Sequence, residues 1–240
     1  MGVLITEEPN DLHITAPVML CDSQLGDDIP RPLPSTAFFM IIAGSAGSGK
    51  SSFMISLLSQ KKPKIYRKVF ENIFIVAPSH SLASIKSNIF RNHPEDKQFN
   101  ELNRETLSTI KDRVLLEADQ GYNSLLIIDD QTVHLKNKDN EFLLKDLIYN
   151  RRHYHLSIML LVQSYTAIPL TIRKTISHGI IFKPRNKKEL DSVFEEVLFQ
   201  PKAIIEHITN FVFKKPHDFL MFDVGTGDMY RNFNELKIVE

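Results

Sequence analysis

Short apolar runs, separated by longer amphipathic or polar stretches, set the rhythm of this chain. The first, Ala37-Phe38-Phe39-Met40-Ile41-Ile42-Ala43, shows no alternation and is stopped by glycine, which suits a strand covered on both faces. A helix is expected from Lys50 to about Gln60, before the basic break Lys61-Lys62-Pro63-Lys64. Residues 73–77 predict a second strand closed by Pro78-Ser79, and residues from about 81 to 117 read as mostly helical and polar. A third buried strand, 124–130, ends in the two carboxylates Asp129 and Asp130. A helix from about 139 to 151, with Asp139 or Asn140 as its N-cap, leads into a fourth strand at 157–163. A short segment after Pro169 precedes a fifth strand, 179–182, and residues from about 187 to 210 read as helical. The tail reads as a hairpin of 219–222 with a return strand around Met229-Tyr230, turned by Val224-Gly225-Thr226-Gly227.

Buried strands alternating with helices call for an α/β fold, a central and mainly parallel sheet of about five strands with helices on both faces, plus the C-terminal β-hairpin. The chain of 240 residues suits one such domain. Residues 1–35, rich in proline towards their end, read as an extension, and 36–240 as the domain itself.

Charge removes one class of partner interaction. Lys+Arg and Asp+Glu both total 29, so no global field steers the protein to nucleic acid, and a DNA contact must come from a local basic patch. Cys21 is the only cysteine, which excludes an intrachain disulfide and a cysteine-based zinc site. Residues 1–20 lack the basic start and apolar block of a signal peptide, and no apolar run approaches the length needed to span a bilayer. An intracellular, soluble protein is expected.

The candidate chemistry begins at Gly44-Ser45-Ala46-Gly47-Ser48-Gly49-Lys50-Ser51, which satisfies every fixed position of the Walker A pattern between a predicted strand and a predicted helix. Glycines let the backbone N–H groups converge on phosphate, and the following helix adds its positive N-terminus. Lys50 is expected at the β- and γ-phosphates, the Ser51 hydroxyl at Mg²⁺, and Ser52 near the α-phosphate of ATP.

Asp129 ends an apolar strand as a Walker B aspartate does, suited to holding Mg²⁺ through its waters. Asp130 sits where such enzymes carry the carboxylate that orients the attacking water, although aspartate reaches less far than glutamate. The strand predicted at 73–77 falls between Lys50 and Asp129, and an extra strand between the two Walker strands is the arrangement of motor-type ATPases rather than of kinases and GTPases. Gln163 closes the fourth strand, where an amide senses the γ-phosphate and holds water. Among Asn150-Arg151-Arg152-His153, Arg152 reads as an arginine finger inserted into a neighbouring subunit, with Arg151 and Arg173 as rivals and helix-dipole complementation as the plainer role.

Other groups carry less. His153 and His155 alternate at a strand entrance but lack the acidic or thiolate company of a metal site. Lys61-Lys62-Pro63-Lys64 with Tyr66-Arg67-Lys68, and Lys183, Arg185, Lys187 and Lys188, read as solvated loops, with contact to DNA phosphates as the competing reading. The 16 phenylalanines fall mostly within apolar runs and read as core.

Together these residues resemble the poxvirus-type genome-packaging ATPases of large DNA viruses and their virophages, a branch of the FtsK/HerA superfamily. The matching elements are Gly44 to Ser52, Phe74-Ile75-Val76-Ala77-Pro78-Ser79, and Leu126-Ile127-Ile128-Asp129-Asp130. Asn150-Arg151-Arg152-His153 with Leu156-Ser157-Ile158, then Val162-Gln163-Ser164, and Ile168-Pro169 with Ile172-Arg173 complete them. The Walker motifs are generic; the arginine-histidine segment feeding a strand that ends in glutamine is more specific. The resemblance implies an ATP-driven homo-oligomeric ring, a pentamer or hexamer, that threads double-stranded DNA into a preformed capsid. It further implies Asp-Asp as an accepted Walker B ending, Arg152 as the finger, capsid or portal-vertex partners, and a place in the host cytoplasm and virion. A non-viral FtsK/HerA-type translocase and a P-loop small-molecule kinase are the alternatives, the first opposed by the compact chain and the second by the lack of a recognisable lid and acceptor pocket.

Overall fold

In a computed structural model, residues 24–26, 28–78 and 89–238 are described. Cys21, Ser79 and residues 81–88 of the expected helical stretch lie outside them. In chain order the elements are β1 (Phe39–Ala43), α1 (Lys50–Ser59), β2 (Asn72–Val76), β3 (Gln98–Phe99), α2 (Arg104–Ala118), β4 (Ser124–Asp129) and α3 (Lys138–Tyr149). They continue as β5 (Leu156–Val162), α4 (Leu170–Arg173), β6 (His178–Phe182), α5 (Lys187–Val193), α6 (Lys202–Val212), β7 (Phe219–Asp223), β8 (Met229–Arg231) and β9 (Asn234–Glu235).

One sheet runs β3-β2-β4-β5-β1-β6-β7-β8-β9. Pairings from β3 to β6 are parallel, and those from β6 to β9 antiparallel. Beyond the five long parallel strands and the expected hairpin, the edges carry two-residue strands, β3 and β9, too short to leave a hydrophobic pattern.

Alternation along β1 sorts the core into two layers. Phe39, Ile41 and Ala43 face α2, α3, α5 and α6, whereas Phe38, Met40 and Ile42 face α1 and the segment around Tyr66 and Phe70. Leu25, Ile29 and Leu33 are buried in this second layer, and the Tyr66 hydroxyl donates to the Pro34 carbonyl at 2.9 Å. At Gly179 a Cβ would lie 2.0 Å from Phe222 Cζ, so the aromatic ring of β7 crosses β6 only because glycine stands there. No helix among the described residues is long and apolar enough to cross a membrane.

Several local expectations change. The strand between the two Walker strands is β5, paired to β1 on one side and β4 on the other, while β2 lies beyond β4. Chain order does not determine sheet order, because helical crossovers carry the chain past neighbours. The cap of α3 is Asn137, whose Oδ1 accepts from the amides of Asp139 (2.9 Å) and Asn140 (3.3 Å), and the helix stops at Tyr149. Among the described residues of the stretch from 81 to 117, only α2 is an α-helix, capped by Asn103 accepting from the Thr106 amide at 2.9 Å. The stretch from 187 to 210 divides after a π-helical turn, Phe194–Leu198, because Phe199 turns left-handed (φ 50) and Pro201 cannot donate within a helix.

Candidate nucleotide site

The C-terminal ends of β1, β4 and β5 meet in one cleft of about 170 Å³, lined by Ala46, Gly47, Lys50, Ser51, Asp129, Asp130 and Gln163 among others. This is the edge where open α/β sheets take ligands. Gly44 N donates to the Val162 carbonyl at 3.1 Å, which ties the loop to β5. Gly47 (φ 78) and Gly49 (φ 106) take left-handed backbone, so the loop curls over the α1 N-terminus. Four of the expected phosphate-binding positions, Ala46, Gly47, Lys50 and Ser51, line the cleft; Ser52 lies one step along α1 and is exposed.

The Lys50 ammonium donates to the carbonyls of Gly44 (2.7 Å) and Ser45 (3.1 Å). Burial pulls its pKa below the usual lysine range, opposed by the attraction of Asp129 and Asp130. The Ser51 hydroxyl donates to Asp129 Oδ2 at 3.2 Å, joining two hard oxygen donors that the start of α1 and the end of β4 bring together from 78 residues apart. Gln163 Nε2 donates to Asp130 Oδ1 at 3.0 Å. Asp130 holds this position with φ 55, a conformation that costs a non-glycine residue roughly 1 kcal/mol. After it, buried Gln131 accepts from the Leu102 amide (2.9 Å) and donates to the Asn100 carbonyl (3.1 Å), pinning the segment that follows β4. Sequence reasoning passed over Gln131, whose partners lie on a loop about 30 residues away.

The three arginines in contention have different surroundings. Arg173 is stacked over the Tyr165 ring at 5.0 Å and paired with Glu196 at 3.3 Å. Arg151 folds back to donate to the Ile148 carbonyl at 2.9 Å, and burial, with Arg152 beside it, lowers its pKa. Arg152 is exposed in the turn before β5. That turn is at the opposite end of a seven-residue strand from the cleft, on the order of 20 Å away. His153 and His155 join no cluster able to hold a metal among the described residues. In the first basic segment Tyr66 is buried, while Lys61, Lys62 and Lys64 are exposed.

One neighbour of the loop had no signal in the sequence. His217 Nδ1 donates to the Ser48 carbonyl at 2.8 Å from a left-handed backbone (φ 69). The turn that carries it is held by buried Asp218, which accepts from the amides of Lys214 (3.2 Å) and Lys215 (2.9 Å), from Arg231 Nη2 (3.0 Å) and from Asn232 Nδ2 (3.1 Å). The Asn232 hydrogen bond leads these in lowering the carboxyl pKa from 3.8 to about 2. A depressed carboxyl contributes stability above its unfolded pKa and loses it as the pH falls through the folded value, here towards about 2. Asp218→Ala is expected to cost about 2–3 kcal/mol at neutral pH, read by urea denaturation. The cost should shrink between pH 4 and pH 2, and an equal cost at both ends would contradict this assignment.

The family model described as Poxvirus A32 protein matches residues 31–215. No curated protein matches the chain. Among solved structures, the genome packaging NTPase B204 from Sulfolobus turreted icosahedral virus 2, in complex with AMPPCP, is 16% identical with a TM-score of 0.61, over 85% of this chain and 99% of that one. B204, the DNA-packaging ATPase from Sulfolobus turreted icosahedral virus, is 19% identical with a TM-score of 0.57, over 85% and 98% of the two chains. EssC (ATPases 2 and 3) from Geobacillus thermodenitrificans is 16% identical with a TM-score of 0.54, over 85% of this chain and 41% of that one. At these identities the likeness is one of fold, a P-loop ATPase sheet ending in antiparallel strands. The family match, which runs well past half of the sequence and through the phosphate loop, assigns this chain to the poxvirus A32 protein family of P-loop packaging ATPases.

Proposed function

We propose that this protein is the motor subunit that drives double-stranded DNA into a viral capsid at the expense of ATP. The observation that carries the reading is the meeting of Lys50, Ser51, Asp129, Asp130 and Gln163 in one cleft, while exposed Arg152 stands at the far end of the sheet. Loop amides from Gly44 to Ser52 and the Lys50 ammonium grip the phosphates. Ser51 and Asp129 offer the hydroxyl and carboxylate oxygens that suit a hard divalent cation, and so fit Mg²⁺. When bound, Mg²⁺ would neutralise charge on the β- and γ-phosphates. Asp130 and Gln163, already hydrogen-bonded to each other, orient the attacking water and withdraw its proton.

Arg152 cannot reach the cleft of its own chain across the length of β5, so it acts on the next subunit of a homo-oligomeric ring, a pentamer or hexamer. Residues 36–240 then form the motor domain, with 1–35 as its extension. Capsid or portal-vertex proteins would be the docking partners, and the host cytoplasm and virion the places of action.

The test is steady-state ATP hydrolysis with and without linear double-stranded DNA, with mass by light scattering. Stimulation by DNA in a ring-sized assembly supports the motor. Fast turnover by a monomer indifferent to DNA would overturn it.

A further inference from the structure

A nucleotide laid along this phosphate loop has a defined direction. Lys50, Asp129, Asp130 and Gln163 gather on the β4–β5 side of β1, where the terminal phosphate belongs. The nucleoside therefore extends the other way, across the first turn of α1 towards β6 and β7. Two side chains of the C-terminal hairpin region stand on that side, both beyond the 31–215 span of the family match.

The first is His217. Its ring packs so closely on the loop that a Cβ at Gly49 would lie 3.2 Å from Nδ1 and 3.8 Å from Phe182 Cε1. Because Nδ1 donates to the Ser48 carbonyl, Nε2 of the neutral ring is left as an acceptor on an exposed residue. The Asp218 network fixes the turn, so the ring is held in place before any ligand arrives. The second is Phe233, 41% exposed, which stacks on Phe53 of the first turn of α1 at 6.1 Å and 26°. Phe219 meets both rings edge-on, at 5.0 Å from Phe53 and 5.4 Å from Phe233, and Phe182 joins Phe53 to the loop. An aromatic surface thus stays open beside the phosphate loop, with a hydrogen-bond acceptor next to it.

We infer that the C-terminal hairpin supplies the nucleoside subsite, with His217 accepting from the sugar or base and Phe233 offering a flat face to the base. The inference rests on the nucleotide-binding reading above. It gives a specificity role to a segment that no phosphate-loop motif includes. Stacking on an aromatic face tolerates any base, so discrimination among nucleotides falls to His217.

Calorimetric titration separates the parts. The full chain and its variants are titrated in Mg²⁺ with ATP and with inorganic tripolyphosphate, which shares the phosphates but has no nucleoside. The unsubstituted protein should bind ATP at least about tenfold tighter than tripolyphosphate. His217→Ala and Phe233→Leu should each weaken ATP roughly fivefold or more and leave tripolyphosphate unchanged. Leucine keeps the aromatic cluster filled, so the second variant retains its fold. His217→Asn keeps a donor for the Ser48 carbonyl and accepts left-handed backbone, yet lacks the ring; it should lose ATP affinity as alanine does.

Equal losses for ATP and tripolyphosphate, or full recovery of ATP affinity by asparagine, would show that His217 only braces the loop and would overturn the subsite. Equal affinity of the unsubstituted protein for both ligands would overturn it as well. If that protein bound neither ligand, the nucleotide reading itself would fall, and the subsite with it.

Discussion

Lys50→Ala is expected to lose at least about 10³-fold in ATP hydrolysis while keeping its fold. The ammonium is the one cation lining the cleft, among the described residues, and faces Asp129 and Asp130 at its far wall. Without it, a triphosphate would enter a cleft whose nearest fixed charges are two carboxylates, with Mg²⁺ alone to offset them. The loss should therefore appear in nucleotide affinity as well as in turnover. The fold should survive because the side chain bonds only to carbonyls of its own loop, Gly44 and Ser45, and packs into neither core layer. Lys50→Arg should not rescue. A planar guanidinium cannot take the place of a compact ammonium in a cleft of about 170 Å³. Phosphate release and far-ultraviolet dichroism check the pair, and hydrolysis within tenfold of the parent would remove Lys50 from the mechanism.

Arg152→Ala should lose about 10³-fold or more of assembly-dependent hydrolysis, yet leave nucleotide affinity of the isolated chain unchanged. The split follows from geometry. Arg152 is exposed on the turn before β5, on the order of 20 Å from its own cleft, so it touches nothing that a single chain uses to bind ATP. Arg151→Ala should behave differently. Its guanidinium is half-buried and bonded to the Ile148 carbonyl, so the cost should fall mainly on stability. A mixture of Lys50→Ala and Arg152→Ala chains is the sharper form of this experiment. In a head-to-tail ring, the intact Lys50 cleft of an Arg152→Ala chain can meet the Arg152 of a Lys50→Ala neighbour even though neither chain is active alone. Random mixing should restore roughly a quarter of the sites, fewer if firing is coordinated around the ring. No recovery, in mixed assemblies of normal size, would rule out delivery of Arg152 in trans.

What could be read from residues alone follows from how far apart the interacting parts lie. The phosphate loop is a single strand–turn–helix, and its glycines at 44, 47 and 49 are legible because a contiguous backbone path needs them. The five buried strands were legible because a strand covered on both faces is largely apolar, and β1, β4 and β5 are buried at every position. Asp129 and Gln163 stood out for the same reason, as polar ends of apolar runs. Caps were less legible: Asn137, Asp139 and Asn140 are all good N-caps, and only the course of the preceding turn selects Asn137.

Sheet order was not legible, and with it went the juxtapositions that build the cleft. Chain position set the strand at 73–77 between the Walker strands, whereas burial and crossover geometry set β5 there. The Gln163–Asp130 hydrogen bond and the 78-residue link from Ser51 to Asp129 exist only because the sheet runs β4-β5-β1. His217 is the extreme case, 169 residues from the Ser48 carbonyl it bonds and without a motif of its own. The sequence by itself determined the fold class, the phosphate loop and the carboxylates at the strand end, because each is written in a short stretch whose backbone or burial demands those residue types. Only the tertiary structure decided which strands adjoin, which arginine lies exposed at the far end of β5, and that the C-terminal hairpin leans on the loop. Those depend on packing energy summed over the whole core, and no local run of residues records that sum.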